Sequence, residues 1–258
     1  MGEALVSGLI QSRAWKPSQI TVTDVRPDQL ERLRKTYKVR TSDDNRWAVR
    51  DAEIVLLAVK PQQAGHVLEE VGPVLQETQL VLSIVAGLTT AKIERSLAKG
   101  VPVIRVMPNT PALIGKSASA IARGRWSQEP HEKRAQAILS TVGSVTVVPE
   151  KEMDAVTAVS GSGPAYVFYM AEAMMEAGVK LGLAPHVADA LVRRTIEGAG
   201  ALLAQSREGA ATLRQRVTSP GGTTEAALKV LERARFKFIF GQALKRAAAR
   251  SGELSRGM

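Results

Sequence analysis

The chain holds 258 residues, 45% hydrophobic and 23% charged, enough to bury a sizeable core in one large domain or two small ones. With no cysteine and 3 scattered histidines, His66, His131 and His186, it offers no disulfide framework, no metal-ligand spacing and no cysteine nucleophile. The formal net charge of +10 raises the question of nucleic acid, but aromatic residues make up only 4% and no nucleic-acid motif accompanies the charge, so a solvated or intersubunit helix face is expected instead.

In chain order, Met1 to Ile10 has helical character, with neither the basic start nor the apolar stretch of a signal peptide. Up to about residue 148, short β-branched runs at 20–23, 54–59, 80–85, 101–106 and 145–148 alternate with helical patterns at 28–35, 62–71, 89–97 and 130–141. Apolar runs separated by helices mark buried parallel strands of a doubly wound α/β sheet, in βαβα order throughout. After Pro149 the strand pattern stops, and long helical segments follow at 165–181, 185–205 and 225–250. This shift divides the chain into residues 1–150 and 151–258, and the second part is short enough that it is expected to complete its core against a second copy. Basic side chains crowd its end, at Lys229, Arg233, Arg235, Lys237, Lys245, Arg246, Arg250 and Arg256. No apolar run approaches the ~20 residues of a membrane span, so a cytoplasmic protein without membrane contact is expected.

Four groups of residues carry candidate chemistry. Ala58-Val59-Lys60-Pro61 ends a buried strand and opens a helix, where an open α/β sheet meets its ligand, and Ala86-Gly87 ends the next strand in the same way. Read alone, each is explained at least as well by an ordinary turn, with Pro61 at a first helical position. Arg105 to Pro111 sets Asn109 and Thr110 between two prolines, a stiff polar loop suited to a nicotinamide or small substrate, or simply a rigid turn. Ser160 to Tyr166 opens the helical part with small residues, which favours close packing over direct chemistry. Val217 to Leu228 is the most informative stretch: its glycines permit unusual backbone angles, and the helix that follows directs free N–H groups into the loop. A small carboxylate could rest on those amides with no charged side chain, leaving a threonine hydroxyl for a neighbouring ligand atom; a plain glycine-rich loop with a threonine N-cap is the competing reading.

Together, Ala58 to Gln62, Arg105 to Pro111, Asp154 to Thr157 running into Ser160 to Tyr166, and Val217 to Thr224 resemble the pyrroline-5-carboxylate reductases in order and spacing, over essentially the whole chain. The resemblance implies a Rossmann-like domain followed by an all-α domain that intertwines with its partner in a homodimer, sometimes assembled into larger rings. It implies hydride transfer from a nicotinamide cofactor to the C=N carbon of 1-pyrroline-5-carboxylate, giving L-proline. The substrate carboxylate is then expected on the amides of Ser219, Gly221, Gly222 and Thr223, with the Thr224 hydroxyl at the ring nitrogen, where it helps deliver or stabilise the proton. Gly2, Asn45, Ala58, Val59, Lys60, Pro61, Ala86 and Gly87 match positions lining the family's dinucleotide cleft, and Asn109 is grouped with them. Asp24 suits a ribose 2′-hydroxyl and NADH, whereas Arg26 suits a 2′-phosphate; NADPH is the expected cofactor, with NADH as the alternative. No metal is expected.

One departure from the family pattern stands out. Gly2 matches the last glycine of the G-x-G-x-x-G turn, so the first strand and two turn glycines belong ahead of Met1, and weak cofactor binding is expected of the chain as it stands. A start placed too far downstream would explain this. The alternatives are a non-catalytic paralogue that keeps the helical dimer, or a reductase of another cyclic imine. A β-hydroxy-acid dehydrogenase is disfavoured, because residues 160–176 contain no lysine.

Overall fold

Alternation along β-branched and leucine-rich runs decides what each face of a strand buries, and in this chain both faces are covered. The computed structural model describes residues 1–257. Its first part comprises α1 (Gly2–Gln11), β1 (Thr21–Thr23), α2 (Pro27–Tyr37), β2 (Arg40–Ser42), α3 (Asn45–Val49), β3 (Ile54–Leu57), α4 (Pro61–Val71), β4 (Leu80–Ser83), α5 (Thr90–Arg95), β5 (Val103–Met107), β6 (Ser117–Arg123), α6 (Glu129–Leu139), β7 (Gly143–Val147) and α7 (Met153–Val156). Along β4, Leu80 and Leu82 join Ile104, Val106 and Ile121 against Leu5 of α1 and Leu139 of α6. Val81, with Val55, Leu57 and Val103, packs on the opposite face against Leu68 and Val71 of α4 and Ile93 of α5. A strand buried on both sides is what a doubly wound sheet requires.

The strands form two sheets. β1 and β2 make a parallel pair, and the second sheet runs in the order β3-β4-β5-β6-β7. Within it β3, β4 and β5 are parallel, β5 and β6 are antiparallel, and β6 and β7 are parallel again. The expectation of βαβα order throughout is therefore corrected at β5–β6. The connection there holds only the 3-10 turn Thr110–Ile114, too short for the crossover that a parallel pairing needs. Among the described residues β1 pairs only with β2, and β3 only with β4 on one side, so each presents a free backbone edge. The partial exposure of all three β1 residues, and of Ile54 and Leu56, accompanies those edges.

The chain separates into two compact units, one made of Met1–Ser162 with the stretch from Arg246 onward, the other of Gly163–Lys245. Composition placed the division at residue 150, where the strands stop, whereas packing carries the first unit further. Met153 is fully buried with Ala120 and Ala122 of β6. Ser251 donates its hydroxyl to Asp154 Oδ1 at 2.7 Å, tying the end of the chain to α7.

The second unit holds α8 (Gly163–Lys180), α9 (Pro185–Gln205), α10 (Ala210–Arg216), α11 (Thr223–Arg233) and the first part of α12 (Phe236–Gly257). The single helix expected at 225–250 is two helices, broken at Arg235, whose φ of 56° no helix interior accepts. α8 and α9 pack closely because Gly178 brings its backbone against Ala188 and Leu183, either of which would lie 3.4 Å from an added Cβ. Tyr166 meets Phe240 edge-on at 5.5 Å, and Phe240 stacks with Phe236 at 5.7 Å.

Amide hydrogen exchange checks the division of the sheet. β4, with every residue buried, and β5 should exchange slowest, and β1 and β2 faster by a factor of at least about 10², since a two-stranded, half-exposed pair opens locally at small cost. Equal protection across both sheets would show that they open as one unit.

Candidate active site

Because β3, β4 and β5 are adjacent and parallel, the loops that follow them leave the same edge of the sheet. Ligands of open α/β folds bind at that edge. It gathers Ala58, Val59, Lys60 and Pro61 after β3, Ala86 and Gly87 after β4, and Asn109 after β5. Lys60 is the N-cap of α4, with Pro61 in its first turn. Gly87 turns the chain with φ 78°, a conformation that favours glycine, while Ala58 and Ala86 stay exposed. Gly2 belongs to the same edge: a Cβ there would sit 3.2 Å from the Cβ of Ala58, so the start of α1, with its unpaired N–H groups, lies beside the β3 loop. Glu3 in that first turn is drawn aside by Arg32, whose Nη1 donates to Oε1 at 2.8 Å, and by the Tyr37 hydroxyl at 3.1 Å. The Arg32 guanidinium holds the Glu3 carboxyl below the usual carboxylate range, against the opposing effect of partial burial.

Arg26 and Asn45 follow β1 and β2, the strands of the smaller sheet. Arg26 is 61% exposed and pairs with Asp24, its Nε 3.4 Å from Oδ1, so the two residues expected to favour different cofactors engage each other. Asn45 opens α3 and donates its Nδ2 to Glu70 Oε2 of α4 at 2.8 Å.

Asn109 is engaged with its own fold. Its Oδ1 accepts from the Ala118 amide at 3.0 Å and from the Ser117 hydroxyl at 3.2 Å, and its Nδ2 donates to the Ser160 carbonyl at 3.1 Å. That uses both acceptor sites and one of two amide hydrogens, so this buried side chain braces its loop and keeps one amide hydrogen uncommitted. It ties β5 and β6 to the π turn Thr157–Gly161, where Gly161 packs against the end of the Met107 side chain, an added Cβ lying 2.3 Å from Met107 Cε.

A buried polar cluster was invisible in the sequence. Glu150 accepts from the Thr90 amide at 2.7 Å and from the Thr90 hydroxyl at 2.5 Å, and Arg105, only 5% exposed, lies 3.5 Å from the same carboxylate. The cluster pins the start of α5, just beyond Ala86-Gly87, to β5. No local pattern announces partners so far apart in the chain.

In the second unit the loop between α10 and α11 carries Ser219 to Thr224. Gly221 has φ 73°, Gly222 is the N-cap of α11, and Thr223 and Thr224 are its first two residues. Of the four amides expected to receive the substrate carboxylate, two already have acceptors within the protein and, among the described residues, two do not. Gly222 donates to the Ser219 carbonyl at 3.0 Å and Gly221 to Glu225 Oε2 at 2.9 Å, whereas the amides of Ser219 and Thr223 have no protein partner among the described residues. The half-buried hydroxyl of Thr224 likewise makes no hydrogen bond among them and caps nothing, which removes the helix-cap reading of this residue.

Comparison with known proteins bears on both units. The family described as pyrroline-5-carboxylate reductase dimerisation matches residues 150–254, and the one described as NADP oxidoreductase, coenzyme F420-dependent, matches residues 1–87. Pyrroline-5-carboxylate reductase of Corynebacterium melassecola is 40% identical, covering 99% of this chain and 96% of that protein. Pyrroline-5-carboxylate reductase 2 of Bacillus subtilis is also 40% identical, over 98% of this chain and 91% of its own. Among solved structures, a pyrroline-5-carboxylate reductase from Coxiella burnetii matches with TM-score 0.93 and 38% identity over 98% of this chain and 94% of that one. The Plasmodium falciparum pyrroline carboxylate reductase with NADP bound matches with TM-score 0.87 and 30% identity over 99% and 94%. With identity at this level along nearly its full length, the chain belongs to the pyrroline-5-carboxylate reductase family.

Proposed function

We propose that this protein reduces 1-pyrroline-5-carboxylate to L-proline with NADPH, NADH serving as the weaker donor. The observation that carries the reading is the α11 start, where Ser219 and Thr223 offer unpartnered amides beside a threonine hydroxyl with no hydrogen bond of its own. A small planar imino acid has one carboxylate and one ring nitrogen, which these two kinds of group complement. The carboxylate rests on loop amides at the positive end of α11. The Thr224 hydroxyl then reaches the ring nitrogen and supports its proton as the C=N bond becomes C–N.

The groups at the sheet edge fit a dinucleotide. Gly2, Ala58, Val59, Lys60, Pro61, Ala86 and Gly87 would hold it, the amides at the start of α1 facing its phosphates and Gly87 letting the backbone come close. When bound, the nicotinamide supplies the hydride. Asn45 and Arg26 extend the cleft toward the adenosine end, Arg26 meeting a 2′-phosphate once it leaves Asp24. Asn109 acts by bracing the β5 loop against the π turn.

The second unit supports a homodimer. Among its large apolar residues Phe168 is 67% exposed, Tyr169 74%, Leu202 56% and Ile239 59%, and in α8 none of the described residues is buried. A patch of this kind on a soluble chain is an association surface.

Three measurements test these assignments. Steady-state turnover of 1-pyrroline-5-carboxylate with NADPH should fall on the order of 10²-fold in kcat for Thr224→Ala, with melting temperature little changed; wild-type turnover by the variant would reduce Thr224 to a bystander, and no turnover by the wild type would remove the activity. Arg26→Ala should weaken kcat/KM for NADPH more than for NADH, and an unchanged ratio would give cofactor choice to other groups. Light scattering at micromolar concentration should find a dimer and no stable monomer; a folded, active monomer would overturn that assignment.

A further inference from the structure

Glu225 is the third residue of α11, and its carboxylate turns back on the loop ahead of the helix. Its Oε2 accepts the Gly221 amide at 2.9 Å and lies 3.3 Å from Nζ of Lys229, one turn further along. A glutamate in this place commonly closes a capping box on the N-cap amide. Here the N-cap amide, that of Gly222, is already given to the Ser219 carbonyl, and Glu225 reaches past it to Gly221, a loop residue held at φ 73°. A side-chain carboxylate therefore sits on one of the amides that the functional reading gives to the substrate's carboxylate.

We propose that Glu225 is a built-in competitor for the carboxylate loop, a residue that the incoming substrate carboxylate must displace from Gly221 and that thereby sets how tightly the substrate is held. This inference rests on the reading of Ser219 to Thr224 as the carboxylate site. One N–H can serve one strong acceptor at a time, and two carboxylates at the same donor repel. Displacement is open to Glu225, because its side chain is about one third exposed and Lys229, itself 59% exposed, remains as an ion-pair partner when the carboxylate leaves Gly221. The consequence is a weakened hold on carboxylate ligands alone. A ligand whose carboxylate takes the Gly221 amide exchanges one charge-assisted bond for another, whereas an anion-free ring leaves Glu225 in place and meets no such competition.

The test uses the full chain with saturating NADPH and two substrates, 1-pyrroline-5-carboxylate and 1-pyrroline, which lacks the carboxylate. Glu225→Ala should lower KM for 1-pyrroline-5-carboxylate by roughly three- to tenfold, one tenfold step being the scale of a single relieved competing bond. Glu225→Gln, which keeps the size of the side chain without its charge, should lower it less, and KM for 1-pyrroline should not fall with either. A raised or unchanged KM in folded variants, with a lowered melting temperature, would make Glu225 an ordinary cap and overturn the inference while leaving the loop assignment intact. If the wild type shows no preference for 1-pyrroline-5-carboxylate over 1-pyrroline, the carboxylate reading of the loop fails, and this inference falls with it.

Discussion

The burial of β4 on both faces governs the first unit. Leu80 and Leu82 point into one layer of helices and Val81 into the other, and all three are fully removed from solvent. β4 runs parallel to both of its neighbours through helical crossovers, and those crossovers lay helices on both of its faces. Parallel strands end at one edge, and the loops after β3, β4 and β5 meet there whatever their own sequences prefer. The gathering of those loops is thus a consequence of how leucines and valines alternate along the sheet interior.

That edge keeps its shape through polar bonds drawn from distant parts of the chain. Glu150 joins Thr90 to Arg105, and Asn109 joins the β5 loop to β6 and to the Ser160 carbonyl. Burying Arg105 or Asn109 without partners would be costly, whereas paired they remove freedom from the loops at that edge. Ordered loops matter for hydride chemistry, because orientation supplies much of the rate.

In the second unit the governing quantity is the supply of backbone N–H groups at the start of α11. One is used within the turn, one is held by Glu225, and those of Ser219 and Thr223 are open. The glycines make this distribution possible: Gly221 takes the positive φ and Gly222 serves as the cap, which leaves the Thr224 hydroxyl free of structural duty. The same unit leaves Phe168, Tyr169 and Ile239 exposed.

Much of this was legible from residues in order. Runs of valine, isoleucine and leucine announced β3, β4 and β5, and helical spacing with Pro185 at the start announced α9 to the residue. Those elements are decided by local periodicity and a capping proline, and the Ser219 to Thr224 loop by the torsional freedom of glycine, all properties of neighbouring residues. β6 was not legible, because Ser117-Ala118-Ser119-Ala120 has weak strand preference and forms a strand only where β5 and β7 flank it. β2 is a short, half-exposed segment that only β1 makes into a strand. Nor could the order of residues show that Asn109 spends its amide on Ala118 and Ser160, that Arg26 meets Asp24, or that Glu225 sits on Gly221. The residue types present in each loop follow from the sequence; which hydrogen bonds they spend on the protein and which remain for a ligand is decided only when the folded chain sets each donor beside an acceptor.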